Sequence, residues 1–244
     1  GFFTTSGKCL GAPFQFQRHG QSGAYVSEIL PNIARHVDDM AFIYSCYSQS
    51  NNHTPAMLEM NSGMIRQGFP SMGSWVTYGL GSENRNLPAY VVMHGTKPRG
   101  GNPIWSSGFL PSVHQAVTLR SGPDPVYYLS DPDGMNRDDR ELTVRTINDL
   151  NRHRLTTVGD PEIAARIAQY EMAFRMQRTI PELVDLSTEP VHVLKAYGVE
   201  PGKPSLAANL LMARRMIERD VRFVQLRDGG WDHHKSIFKE LSEK

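Results

Sequence analysis

The chain is short of cysteine, of net charge and of long apolar runs. Among its 244 residues Cys9 and Cys46 are the only thiols. A disulfide-stapled scaffold is therefore excluded, while two cysteines alone favour neither one bridge nor a pair of reduced thiols. Lys and Arg number 26 against 25 Asp and Glu, a formal charge of +1. Bulk positive charge cannot drive binding to nucleic acid at that balance. Apolar stretches such as Ala89-Tyr90-Val91-Val92-Met93 fall far short of the ~20 residues a membrane-spanning helix needs. Also missing are the G-x-S-x-G elbow, the P-loop, G-x-G-x-x-G after a strand and H-E-x-x-H. Serine hydrolase, nucleoside triphosphatase, dinucleotide oxidoreductase and zincin readings fall with them. Asn52-His53-Thr54 matches a glycosylation sequon, but Pro55 follows it and the tripeptide reads as a chance match.

What is present describes a chain that buries a core: 39% hydrophobic and 21% charged residues, no low-complexity tract, and a length that fits one domain. Strand-like runs at Met40–Tyr44, Ala89–Met93, Val126–Leu129 and Val221–Leu226 alternate with helical patterns, which is an α/β rhythm with parallel pairing. Asp160-Pro161 opens a helix with Ile163, Ile167, Tyr170 and Phe174 as its core stripe, an N-cap with proline in the first turn. A second helix from Ser205 shows Leu206, Leu210, Ala213 and Ile217 on one face, with Arg214, Arg215, Glu218 and Arg219 opposite. Thr179-Ile180-Pro181-Glu182 has capping-box spacing and predicts a new short helical turn. The charge-rich stretch 136–156 predicts an exposed helix, and residues 95–125 a turn-rich insertion. No linker divides the chain.

Three stretches carry residues capable of chemistry. Asp228-Gly229-Gly230-Trp231-Asp232-His233-His234 follows an apolar strand, and the carboxyl ends of strands are where open α/β sheets bind ligands. In extended backbone Asp232 and His234 share a side while His233 faces away. They suit a divalent metal, or else Asp232 caps a helix and both imidazoles are solvated. Asn51-Asn52-His53-Thr54 leads from the strand at 40–48 into a helix through Met57, Met60 and Met64. There His53 is an acid/base, a ligand or an anion contact, or the turn is an ordinary helix start capped by Asn52 or Thr54. His114 lies among aromatics in the long insertion. His36-Val37-Asp38-Asp39 reads as a helix terminus rather than a metal run.

The runs Phe14–Gln17, Gly20–Gly23, Asn52–Ala56, Pro70–Trp75, Gly81–Asn84, Ser107–Pro111 with His114-Gln115, Ile167–Gln177 and Gly230–His234 together resemble the DUF1501 family, bacterial sulfatase-like members of the alkaline phosphatase superfamily. The resemblance covers essentially the whole chain. It implies an α/β/α sandwich with a mostly parallel sheet, alkaline phosphatase-like, as a single domain over 1–244, and export to the periplasm or beyond through a twin-arginine leader. It also implies divalent metals (Zn, Mn or Ca) at the strand ends. The family's Trp-Asp-x-His motif falls on Trp231, Asp232 and His234. His53 through Gly63 has the spacing of the sulfatase nucleophile motif, with His53 where formylglycine would stand; imidazole cannot form that aldehyde hydrate, so the sulfatase mechanism does not transfer. The family's outer metal motifs lie outside these residues, which makes this chain the expected middle of a longer protein, incomplete at both ends and with a partial metal set. The expected function is metal-dependent hydrolysis of a sulfate or phosphate ester, on a small molecule or glycan. Asp232 and His234 are the expected ligands, His53 the catalytic group, and His114 and Asn52 substrate contacts. The alternative is a non-catalytic binding or structural protein retaining the fold.

Overall fold

The computed structural model describes residues 11–94, 100–120, 125–126, 131, 133–231, 233 and 236–242. In chain order these form β1 (Phe16–His19), β2 (Ala24–Ser27), α1 (Pro31–Ala34), α2 (His53–Ser62), α3 (Met72–Leu80), β3 (Tyr90–His94), β4 (Val117–Leu119), α4 (Arg137–Val158), α5 (Pro161–Val184), α6 (Val191–Tyr197), α7 (Leu206–Ile217), β5 (Phe223–Arg227) and α8 (Ile237–Ser242). The chain divides into two compact units, Gly1–Tyr47 with Gly230–Lys244, and Ser48–Gly229.

In the smaller unit, β1 and β2 form an antiparallel hairpin with Phe16 opposite Ser27 and His19 opposite Ala24. Its turn takes positive φ at Gly20 and Gly23, where glycine carries no Cβ penalty. Both oxygens of the Asp38 carboxylate accept backbone N–H groups of that turn, from Gln21 and Ser22, each at 2.8 Å. The sequence Val37-Asp38-Asp39 is thus a short 3₁₀ turn tying down a hairpin. The strand expected over Met40–Tyr44 is irregular chain. Ile43 and Tyr44 are 79% and 74% exposed; adjacent strand residues point to opposite faces, so neither face of this segment finds a core.

The larger unit is α/β. Its described sheet has the order β4-β3-β5, all parallel. Tyr90, Val91, Val92 and Met93 are all buried, the continuous apolar run expected of a strand covered on both faces. Alternation divides them: Val91 and Met93 join a core with Ile180 and Leu183 of α5 and Leu211 and Met216 of α7, while Tyr90 and Val92 meet Leu58 of α2, Ile104 and Trp105. Helices therefore cover both faces. The strand expected at 126–129 falls mostly on residues outside those described.

Three helical details differ from the sequence reading. Helix α5 spans 24 residues, about 36 Å at 1.5 Å per residue, and only its later part lies on the sheet. Its buried residues are Ala165, Met176, Ile180 and Leu183, and Tyr170 is 40% exposed; the early stripe runs beside α4, where Arg152 Nη2 and Glu171 Oε1 pair at 3.1 Å. The helix also continues through Pro181 to Val184 instead of restarting there, because Ile180 and Leu183 are fully buried and hold it on the sheet across the missing N–H. On α7 the apolar face is rotated. Ala208, Leu211, Met212 and Met216 are buried, Leu206, Leu210 and Ile217 exposed, and Arg215 is only 5% exposed. Its guanidinium donates to the carbonyls of Glu182 (2.8 Å) and Asp185 (2.7 Å) at the C-terminal end of α5, groups a helix end leaves without intrahelical donors.

Candidate functional site

The carboxyl end of the parallel sheet gathers the groups with the most chemistry. His94 ends β3 and Arg227 ends β5, and the two are register partners. His94 stacks on buried Trp105, ring centroids 5.6 Å apart. Helix α2 lies over this end by a traceable series of contacts. The buried Tyr90 hydroxyl, pushed up to about 12 by desolvation, donates to Gln225 Oε1 at 2.7 Å. Gln225 Nε2 in turn donates to Asn61 Oδ1 at 2.6 Å. Two residues on along β5, Arg227 Nη2 meets Met57 Sδ at 3.6 Å. Moving from Asn61 back to Met57 on α2 thus matches moving forward on β5, so the helix runs antiparallel to the strands. Another helical turn, about 6 Å, carries the N-terminus of α2 with His53 past the end of β5. Gly100 meets the same turn: a Cβ there would lie 3.2 Å from Thr54 Cγ2.

Asn52 caps α2, its Oδ1 accepting from the Thr54 N–H at 3.2 Å, and His53 is the exposed first residue of the helix. The ordinary helix-start reading of this turn therefore holds. It does not exhaust the site, because Arg227 Nη1 is buried with no hydrogen-bond partner among the described residues. Burial pushes the Arg227 guanidinium below its usual range, and among the described residues no carboxylate pairs with it. Asp232 and His234 lie outside the described residues. His233 is described and bonds elsewhere, Nδ1 to Glu240 Oε2 of α8 at 2.7 Å. Among the described residues no group of three or more His, Cys, Asp or Glu side chains is placed to share a metal ion.

His114 sits at the other end of the sheet. It closes a 3₁₀ turn at Ser112–His114 just before β4, edge-on to Tyr78 at 5.4 Å, and partial burial lowers its pKa. The structure does not bring it together with His53. Arg227 and His94 are the residues that sequence reading missed. The signal that could have found them is their position, one residue beyond each apolar strand run.

The family model described as "Protein of unknown function (DUF1501)" matches residues 3–244. The chain belongs to the DUF1501 family. No curated protein and no solved structure matches it.

Several of the runs shared with DUF1501 have structural work. In Pro70–Trp75, Ser71 Oγ and Ser74 Oγ bond at 2.9 Å and Ser74 donates to the Ser106 carbonyl, while a Cβ on Gly73 would meet the Tyr90 ring at 2.5 Å. Gly108 has φ +56 and lies against the Phe69-Pro70 backbone, where a Cβ would come within 2.4 Å. Asn84 donates to the Arg219 carbonyl and accepts the Leu87 N–H. Among the described residues no helix is long and apolar enough to cross a membrane.

Proposed function

We propose that this DUF1501 protein is a metal-dependent hydrolase of sulfate or phosphate esters, alkaline phosphatase-like in fold, with its reaction centre at the carboxyl end of the sheet. The observation that carries the reading is the partly satisfied Arg227 guanidinium at that end, with His94 on the neighbouring strand and α2 starting above it. A desolvated cation lacking a hydrogen-bond partner on one nitrogen suits a tetrahedral oxyanion.

Through the family resemblance Asp232 and His234 would hold the divalent metal (Zn, Mn or Ca), which when bound supplies a Lewis acid to an ester oxygen. The chain's own residues do the rest. Arg227 binds the sulfuryl or phosphoryl oxygens, and the N-terminal end of α2 adds a favourable dipole. His53, exposed at that end, exchanges the proton with attacking water or leaving oxygen. Asn52 acts by fixing the turn that presents His53. Bacterial export and a small-molecule or glycan ester substrate belong to the same reading through the family resemblance.

A binding protein without turnover is the second reading, favoured by the imidazole at the nucleophile-like position. The test is hydrolysis of 4-nitrophenyl sulfate and 4-nitrophenyl phosphate by the full-length protein, with metal analysis. The Asp232→Ala protein should lose both metal and turnover. Unchanged metal content and hydrolysis would sink the proposal.

A further inference from the structure

A second feature of the larger unit lies at the opposite, amino end of the sheet. Pro88-Ala89, leading into β3, and Gln115-Ala116, leading into β4, wall a cavity of about 810 Å3 together with α3 and α5. That volume lies within the range of about 300–1,000 Å3 for pockets enclosing whole small molecules. The proposed hydrolysis has no use for it. The α5 wall comes from the run 167–177, a resemblance motif for which the carboxyl-end chemistry supplies no role.

Its walls are chemically one-sided. Met172, Met176 and Val117 supply apolar surface, and among the described residues the ionisable ones in the lining are Arg140, Arg175 and His114, with no Asp or Glu. Neither guanidinium is satisfied by its nearest carboxylate. Arg175 Nη1 stands 3.8 Å from Glu171, beyond a hydrogen bond, and its Nε is buried without a partner. Arg140 Nε stands 3.9 Å from Asp131. The Arg175 and Arg140 side chains stay 39% and 30% exposed, so an anionic head entering the cavity gains charge-assisted hydrogen bonds from their open donors. One rim is fixed: Ser112 bonds Glu162 Oε2 at 2.7 Å, and Gln169 donates to Ser112 at 3.2 Å.

We infer that this cavity is a second ligand site, separate from the carboxyl end, and that it takes an organic anion with an apolar body. The body lies against Met172, Met176 and Val117, and the carboxylate or sulfonate head meets Arg175 with Arg140 beside it. No bond is made or broken. Recognition is apolar burial plus one charge-assisted contact, so both parts of the ligand are required.

Dodecanoate below its micellar concentration, with dodecan-1-ol as the uncharged control, tests this by calorimetry on the full-length protein. The expected result is one dodecanoate per chain, bound about tenfold or more tighter than the alcohol, consistent with a charge-assisted contact. Arg175→Gln should bring the two ligands to similar affinity, and Ala168→Phe, which fills the cavity, should abolish both. Arg140→Gln should weaken dodecanoate alone and serves if Arg175→Gln does not fold. Equal binding of acid and alcohol to the wild type, no binding of either, or dodecanoate affinity untouched by the Arg and Ala168 substitutions would overturn the proposal. Asp232→Ala should leave dodecanoate binding intact, so failure here and failure of the hydrolase reading are separable.

Discussion

Arg215 and Arg227 are both arginines desolvated within the larger unit, and burial pushes both guanidiniums below the ordinary range. Their surroundings separate them. Arg215 reaches from α7 to the end of α5, where both terminal nitrogens donate to the carbonyls of Glu182 and Asp185, and its buried Nε, which makes no hydrogen bond among the described residues, stands 3.5 Å from Glu189 Oε1 as an ion pair. Arg227 stands at the end of β5, its Nη2 against the Met57 thioether and its buried Nη1 without a hydrogen-bond partner among the described residues. A desolvated cation whose terminal nitrogens are met by backbone carbonyls and whose charge faces a carboxylate holds a fold together, whereas one with an unmet terminal nitrogen and no paired carboxylate among the described residues suits an anionic ligand.

The sharpest way to break this contrast is to remove the first cation. Arg215→Met leaves two helix-end carbonyls and Glu189 without their donor and should cost about 3 kcal/mol. Thermal unfolding should fall by roughly 6–12 °C for a chain of this size; a shift within error would mean that the α5–α7 junction does not depend on it. Next is Gly73→Ala. A Cβ 2.5 Å from the Tyr90 ring must displace that ring and with it the link to Gln225, at about 1–3 kcal/mol. Because the same link seats α2 over Arg227, this variant should lose both stability and anion affinity, which neither arginine variant does alone.

Arg227→Gln should change stability by less than about 1 kcal/mol while weakening sulfate or phosphate about tenfold. The smallest effect concerns Asp38, an exposed acidic counterpart to Arg215. The N–H groups of Ser22 and Gln21 hold its carboxyl below the usual Asp value. A depressed folded-state pKa gives stabilisation that is present above the unfolded value of about 3.9 and lost as pH falls through the lower folded one. Amide exchange at Gln21 and Ser22 should therefore accelerate only below the ordinary Asp range, and Asp38→Asn should shift it at all pH values.

Local signals in the sequence located β3, β5, the capped start of α2, helix α4 and the Asp160 cap of α5, because each rests on neighbours within a few residues. The buried face of α7 was not legible. Leu206, Leu210 and Ile217 repeat as well as Ala208, Leu211 and Met216 do, and only the free carbonyls at the end of α5 decide that Arg215 faces inward. Met40–Tyr44 has strand composition but no partner strand among the described residues, which composition cannot report. At the candidate site, His53 and Asn52 were visible as a helix start. Arg227 and His94 were not, since their importance comes from the parallel register that pairs them across strands far apart in the sequence.

The most direct measurement sets the two arginines side by side: melting temperature and orthophosphate or sulfate affinity of the full-length protein carrying Arg227→Gln or Arg215→Gln. The account predicts that Arg227→Gln melts close to wild type and binds the anion about tenfold more weakly, whereas Arg215→Gln melts well below wild type and, where folded, binds normally. An Arg227→Gln protein that loses stability as Arg215→Gln does while keeping its anion affinity would contradict it.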